Sequence, residues 1–335
     1  MNSYARVMSR LHGEPVDRAP NFNILMAYAA RHTGSPLSRF YLDYRVLCQA
    51  NLAVLRDFSL DLVGTMSDPY GETADWGAAI VFPEDAVPVC TVPLLRRLED
   101  IRELRSPEPT SGRRMSNRLH ALRFYRDHVG GEVPILGWVE GALAEAANLR
   151  GVSRLMVDLY DNPEALEEVL ERCTEVAIAF ARAQVHAGAD IVGVGDAVAS
   201  QISPGMYERF ALPYERRIFG AIHQAGALGR LHICGNTTKV LCLMAQSGAD
   251  IVDIDWMVHM QAARVACEGR TVCGNFDPVA VMLQGTPDLV RQSVYRSLDL
   301  GGPRCFSMAG CEIPEGTPAA NLLAHAEALR EFGPG

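Results

Sequence analysis

The chain has 335 residues, 48% of them hydrophobic and 21% charged, with a formal net charge of −9. Those proportions fit one large α/β domain or two small ones. The acidic balance, without a basic cluster interleaved with aromatics, excludes a nucleic-acid surface, and no apolar run approaches the roughly 18 residues of a membrane span or signal core, so the cytoplasm is the expected location.

Residues 1–18, MNSYARVMSRLHGEPVDR, are expected to form a helical extension. Eight short β-branched, apolar runs follow, at 20–26 (PNFNILM), 60–66 (LDLVGTM), 133–139 (VPILGWV), 190–195 (DIVGVG), 228–234 (LGRLHIC), 250–255 (DIVDID), 271–276 (TVCGNF) and 304–310 (RCFSMAG). Each is introduced by a Gly, Pro or Asp turn signal, and segments such as NPEALEEVLERCTEVAIAFARAQVHAGA place apolar residues three and four apart between them.

Eight alternations of strand and helix predict a single-domain (β/α)8 TIM-type barrel over 1–335. An internal echo supports this: AGADIVGVGD and SGADIVDIDW each join a helix end, a Gly-Ala-Asp turn and a strand. An open doubly wound sheet would use the same alternation, but no G-x-G-x-x-G loop follows the first strand. The long segment between strands two and three, about 69–132, is expected to contribute a hairpin or lid over one end of the barrel.

Barrel enzymes carry their chemistry where strands end. Those ends hold Asp68, Glu140, Asp196, His232 with Cys234, Asp255, Asn275 with Asp277, and Cys311. Asp277, before Pro278, fits a helix cap. In RLHICGN, His232 and Cys234 share one face of a strand because side chains alternate with period two. The nine cysteines are scattered and odd in number, as expected of reduced thiols, with Cys273 and Cys305 as packing residues inside strands. Lys239 is the only lysine, so Schiff-base chemistry has a single candidate.

His232, Cys234 and Cys311, in MAGCEIPEGTP, would give a tetrahedral Zn²⁺ three protein ligands and one open position, the catalytic pattern. Two thiolates cancel the metal's charge, so a third sulfur in the open position would lose its proton yet remain nucleophilic. That ligand set leans towards alkylation of a thiol and away from zinc-hydroxide hydrolysis. A purely structural zinc is the bland alternative, although structural sites usually recruit four ligands closely spaced in sequence.

The order HICGN, GADIVDIDW, GNFDP and GCEIPEGTP, with GEPVDRAPNF near the start, resembles the uroporphyrinogen decarboxylase superfamily over essentially the whole chain, particularly its cobalamin-dependent zinc methyltransferase branch. The resemblance implies a zinc held by His232, Cys234 and Cys311, and a methylated corrinoid as co-substrate. It also implies Asp255 as a partner behind the ligands or a displaceable fourth ligand. No D-x-H-x-x-G motif is present to bind cobalamin, so a corrinoid partner protein is expected to deliver it. Asp255 and Glu140 are the expected catalytic carboxylates, and Asp68, Asp196 and Asn275 the expected cofactor contacts. The methyl would pass between the corrinoid and a zinc-bound small-molecule thiol.

Two alternatives stay open. One is the opposite half-reaction, demethylation of a methoxylated or methylated substrate onto a corrinoid protein. The other is decarboxylation, from which this chain departs. The arginine-rich R-Q-A-G-R stretch of the decarboxylases corresponds to MAYAARHTG, leaving Arg31 alone, their tyrosine is missing from GWVEGALAEAANLRG, and their late histidine is replaced around Cys311.

Overall fold

A computed structural model describes residues 1–333. Its strands, in chain order, are β1 (Val63–Gly64), β2 (Ile80–Val81), β3 (Val89–Cys90), β4 (Ile135–Glu140), β5 (Ile191–Gly195), β6 (Leu228–His232), β7 (Ile251–Asp253), β8 (Thr271–Phe276) and β9 (Phe306–Ala309). Seven form one curled sheet in the order β1-β4-β5-β6-β7-β8-β9, every neighbouring pair parallel. The other two make an antiparallel hairpin, β2 against β3. Parallel neighbours need crossovers, and the intervening helices supply them. Pro163–His186 packs on β4 and β5, Leu212–Gln224 on β6, and Pro287–Gly301 on β8 and β9.

The run at 20–26 does not form the regular strand that the sequence suggests. It makes one parallel bridge, Asn21 with Ser307. Phe22 N donates to Ser307 O at 2.9 Å, Ser307 N to Pro20 O at 3.0 Å, and Asp61 N to Asn21 O at 3.0 Å. Residues 20–22 thus lie between β9 and the approach to β1, spanning the seam of the curled sheet. Pro20 has no N–H to extend a ladder, and a helix begins at Met26. The segment at 69–132 holds the β2–β3 hairpin, a short 3-10 helix at Leu98–Glu103 and the helix Arg113–Val129, which packs on β4.

Two apolar clusters divide the core. The larger joins the helices to the outer face of the sheet. The smaller, including Phe22, Leu136, Ile191, Ile251 and Phe306, fills the interior of the sheet, and Val7 and Leu11 of the helix Ser3–Leu11 belong to it. The N-terminal helix therefore plugs the end opposite the strand C-termini. Among the described residues, no helix is long and apolar enough to cross a membrane.

Candidate metal centre

In register, Glu140 pairs with Gly195, Gly195 with His232, and His232 with Asp253, so the C-terminal ends of four adjacent strands meet at one level. His232 ends β6, and Gly235 turns the chain at φ +92°, a left-handed conformation that favours glycine. The turn puts Cys234 beside His232, with its Sγ 3.1 Å from Nε2. Cys311, just beyond β9, brings its Sγ to 3.1 Å from that of Cys234 and 3.8 Å from His232 Nε2. The three donor atoms lie within 4.8 Å of one another. A tetrahedral zinc, with bonds of about 2.3 Å to sulfur and 2.0 Å to nitrogen, would separate such donors by about 3.5–3.8 Å. The trio fits that ion with shifts of a few tenths of an ångström, and its two sulfurs and imidazole suit zinc's borderline softness.

Behind His232 stands a chain that the sequence reading did not single out. Asp253 Oδ2 lies 2.9 Å from His232 Nδ1, and the buried Arg230 donates its Nε to both Asp253 oxygens at 3.0 and 2.9 Å. The Arg230 guanidinium also lies over the Phe22 ring, 5.3 Å from its centroid. With Nδ1–H donated to a carboxylate, Nε2 is left as the coordinating nitrogen. The signal was available: Arg230 precedes His232 by two residues and Asp253 precedes Asp255 by two, so each pair shares a strand face.

These contacts set the charges. Burial disfavours the imidazolium, but the hydrogen bond to Asp253, aided by Cys311, outweighs it and raises His232 to about 9. Burial would likewise raise Asp253, yet the Arg230 charge and the His232 bond hold it below its ordinary value. The hydrogen bond from Cys234 overcomes burial and, with His232, lowers the Cys311 thiol to about 4. The same bond, together with burial, pushes the Cys234 thiol strongly up. Binding a divalent cation would therefore release two protons, one from His232 Nε2 and one shared by the two sulfurs.

The remaining expected residues divide. Asp255 adjoins the trio, but its Oδ2 accepts from Gly235 N at 2.6 Å and its Oδ1 from Trp256 N at 2.7 Å, so it fastens the Cys234 turn. Glu140, buried, accepts from Trp138 Nε1 at 3.1 Å. Burial, then the nearby carboxylates Glu72, Glu145 and Asp196, raise it well above its ordinary value. Asn275 donates to the carbonyls of Asp255 and Val258 and borders a 370 Å³ surface cavity with Trp256 and His259.

Asp68 and Asp196 present no face to a cofactor in this structure. The Asp68 side chain is 1% exposed and ion-paired with Arg114. Asp196 is wholly buried, its Oδ1 accepts from Ala144 N at 2.8 Å in the first turn of the helix Ala142–Arg150, and its Oδ2 has no partner. Sequence position put both at strand ends; packing turned them inward. Also missed was Glu312, next to Cys311, whose Oε1 accepts from Ala27 N at 2.9 Å and whose carboxyl burial pushes up to about 7.

Comparison with known proteins places this chain in a family. The profile of the uroporphyrinogen decarboxylase (URO-D) family matches residues 2–332. The chain is 31% identical to the methylcobamide:CoM methyltransferase MtbA of Methanosarcina mazei, over 71% of this chain and 70% of that protein. It is 30% identical to a uroporphyrinogen decarboxylase of Xanthomonas euvesicatoria, over 88% and 86%. A solved methyltransferase structure from Methanosarcina mazei superposes with a TM-score of 0.89 over 99% of both chains at 24% identity, which speaks to the fold. The chain is an enzyme of the uroporphyrinogen decarboxylase (URO-D) family.

Proposed function

We propose that this enzyme transfers a methyl group between a corrinoid and a small-molecule thiol bound at His232, Cys234 and Cys311. The observation that carries the reading is the meeting of these three donors, from the end of β6 and from beyond β9, within 4.8 Å at the strand C-termini. The relative named as a methylcobamide:CoM methyltransferase supports the corrinoid and the thiol. The chemistry a bound zinc supplies is deprotonation of the substrate thiol in an electron-rich, two-thiolate environment.

The chain's own residues do the rest. Asp253, backed by Arg230, fixes the His232 ring, and Asp255 holds the Cys234 turn through Gly235. Glu140 is the proposed hydrogen-bonding acid at the substrate, and Asn275 the remaining proposed contact to a corrinoid carried by a partner protein. The β2–β3 hairpin is the proposed cover of an eight-unit barrel's mouth. Phe82 of its loop packs under Arg114, and Asp85 ion-pairs with Arg31 at 3.0 Å. Arg31 also binds Glu315 at 3.0 Å, so the one arginine left in the decarboxylase-like segment is already engaged by two carboxylates. That arrangement disfavours a substrate with many carboxylates.

The test is metal content followed by turnover. Wild-type protein should carry one equivalent of zinc, and incubation with methylcobalamin and a thiol should demethylate the corrinoid, seen in its absorbance. Cys311→Ala should abolish both zinc binding and methyl transfer, and a variant keeping full zinc and full rate would refute the assignment.

A further inference from the structure

A cavity of 350 Å³ lies at the end of the barrel away from the metal trio. It is lined by Tyr4, Met8 and Leu11 of the N-terminal helix and by Arg270, Thr271 and Arg304 at the entries to β8 and β9. The Arg304 side chain passes over Gly13, where a Cβ would fall 3.2 Å from its Nε, and donates to the carbonyls of Gly269 at 2.6 Å and His12 at 3.5 Å. Arg270, the residue after Gly269, donates to Ala249 O at 3.0 Å. Arg10, only 2% exposed, reaches the carbonyls of Cys305 and Gly302, both at 3.3 Å, and its Nη1 has no partner. Among the described residues, these three guanidiniums bond to backbone carbonyls and to no carboxylate.

Two carboxylates do line the cavity, but both are engaged. Asp190 pairs with Arg126 at 2.7 Å and accepts from Ile135 N at 2.9 Å. Asp250 meets His223 Nε2 at 2.9 Å and accepts from Gly229 N at 2.8 Å. His12, exposed, also lines the cavity and adds no negative charge. Residues at this end of a barrel ordinarily serve stability. Unpaired guanidiniums gathered around one short stretch do the opposite, since like charges repel and a buried donor without a partner costs free energy. Thr271 adds an unused hydroxyl: it is 1% exposed, faces inward with Cys273 by strand alternation, and its Oγ1 has no partner.

An anion with several oxygens would satisfy both the guanidiniums and the hydroxyl, while Tyr4, Met8 and Leu11 offer surface to an organic body. We infer that the N-terminal end of the barrel binds a small organic phosphate, held by Arg270, Arg304 and Thr271, with Arg10 adding to the positive potential. The site is separate from the metal trio, and the inference does not depend on what the trio binds.

The test titrates the intact protein with phenyl phosphate, inorganic phosphate and phenol at low salt, by calorimetry and by thermal melting. Phenyl phosphate should bind more tightly than inorganic phosphate and should raise the melting temperature, and phenol should do neither. Arg270→Gln and Arg304→Gln, as folded proteins of unchanged circular dichroism, should each weaken phenyl phosphate about tenfold, the size of one charge-assisted contact, and Thr271→Val by less. Neither heat nor a melting shift with phenyl phosphate overturns the inference, as does an affinity unchanged in the Arg270→Gln/Arg304→Gln double variant. Inorganic phosphate binding as tightly as phenyl phosphate would overturn the organic part of the assignment.

Discussion

β5 and β7 begin alike and diverge at two positions. Each follows a Gly-Ala-Asp turn and starts Ile-Val, but Gly193 and Gly195 of one correspond to Asp253 and Asp255 of the other. On β5 the missing side chains admit the Trp138 indole. On β7 the carboxylates orient His232 and hold the turn after Cys234. One repeated strand pattern thus builds the apolar wall of the site in one place and its electrostatic backing in the other. Strand periodicity decides which positions face inward; the residue placed there decides what the face does.

Converting one strand towards the other should break this division. Asp253→Gly, which gives β7 the β5 residue, strips Arg230 of its buried partner and frees the His232 ring. Breaking a buried pair from one side costs about 3–5 kcal/mol, and losing the carboxylate behind a ligating histidine costs about 10–100-fold in metal affinity. Denaturant unfolding and zinc competition should show both losses. Asp253→Asn, which keeps an acceptor, should show a smaller loss in each. Undiminished zinc affinity in Asp253→Gly would detach Asp253 from the centre.

The converse change should be milder. Gly195→Ala forces the indole away from β5 and should destabilise the fold by about 1–3 kcal/mol, as overpacking does. The protein should still bind one equivalent of zinc, because β5 supplies none of the three donor side chains. An unchanged melting temperature, with unchanged Trp138 fluorescence, would show that the ring does not need the bare strand.

The pH dependence sharpens the contrast, because the β7 charges are paired and those behind β5 are not. Burial pushes Asp196 up to about 7 and Glu215, whose Oε1 also lacks a partner, up to about 8. Both are raised above their unfolded values, so the native state binds more protons between about pH 4 and 8. Their contribution to stability is fully present below about pH 4 and is lost as pH rises through 7 to 8. Burial lowers His325 to about 3, so its contribution runs the other way, present above about pH 6.5 and lost as pH falls towards 3. Melting temperature should therefore fall by several degrees between mildly acid and mildly alkaline pH. Glu215→Gln should flatten that decline; an identical profile in the variant would remove Glu215 from the account.

The smallest effect is expected at Arg31. Its ion pairs are solvent-exposed, and such pairs contribute little to stability. Arg31→Ala should leave the melting temperature unchanged within error. A large drop would mean that the hairpin is fastened mainly through this residue.

Much of this was written in the chain. The H-x-C spacing of His232 and Cys234 needs only the two-residue repeat of a strand, so their shared face was legible without coordinates. Seven of the eight predicted strands appear within one residue of the expected ranges, because apolar β-branched runs between turn signals are local features. The eighth, at 20–26, reads as a strand by composition, but Pro20 cannot donate to a ladder and Met26 already starts a helix.

The sequence by itself determined the alternation of strands and helices, the soft character of the metal ligands and the face that His232 and Cys234 share, since each depends on residue type and local period. Only the tertiary structure decided that Asp253 and Arg230 stand behind the histidine, that Asp68 and Asp196 turn inward, and that Trp138 lies against the bare face of β5. Those outcomes depend on which neighbour fills or pairs with each side chain across the sheet, and sequence spacing carries no record of that partner.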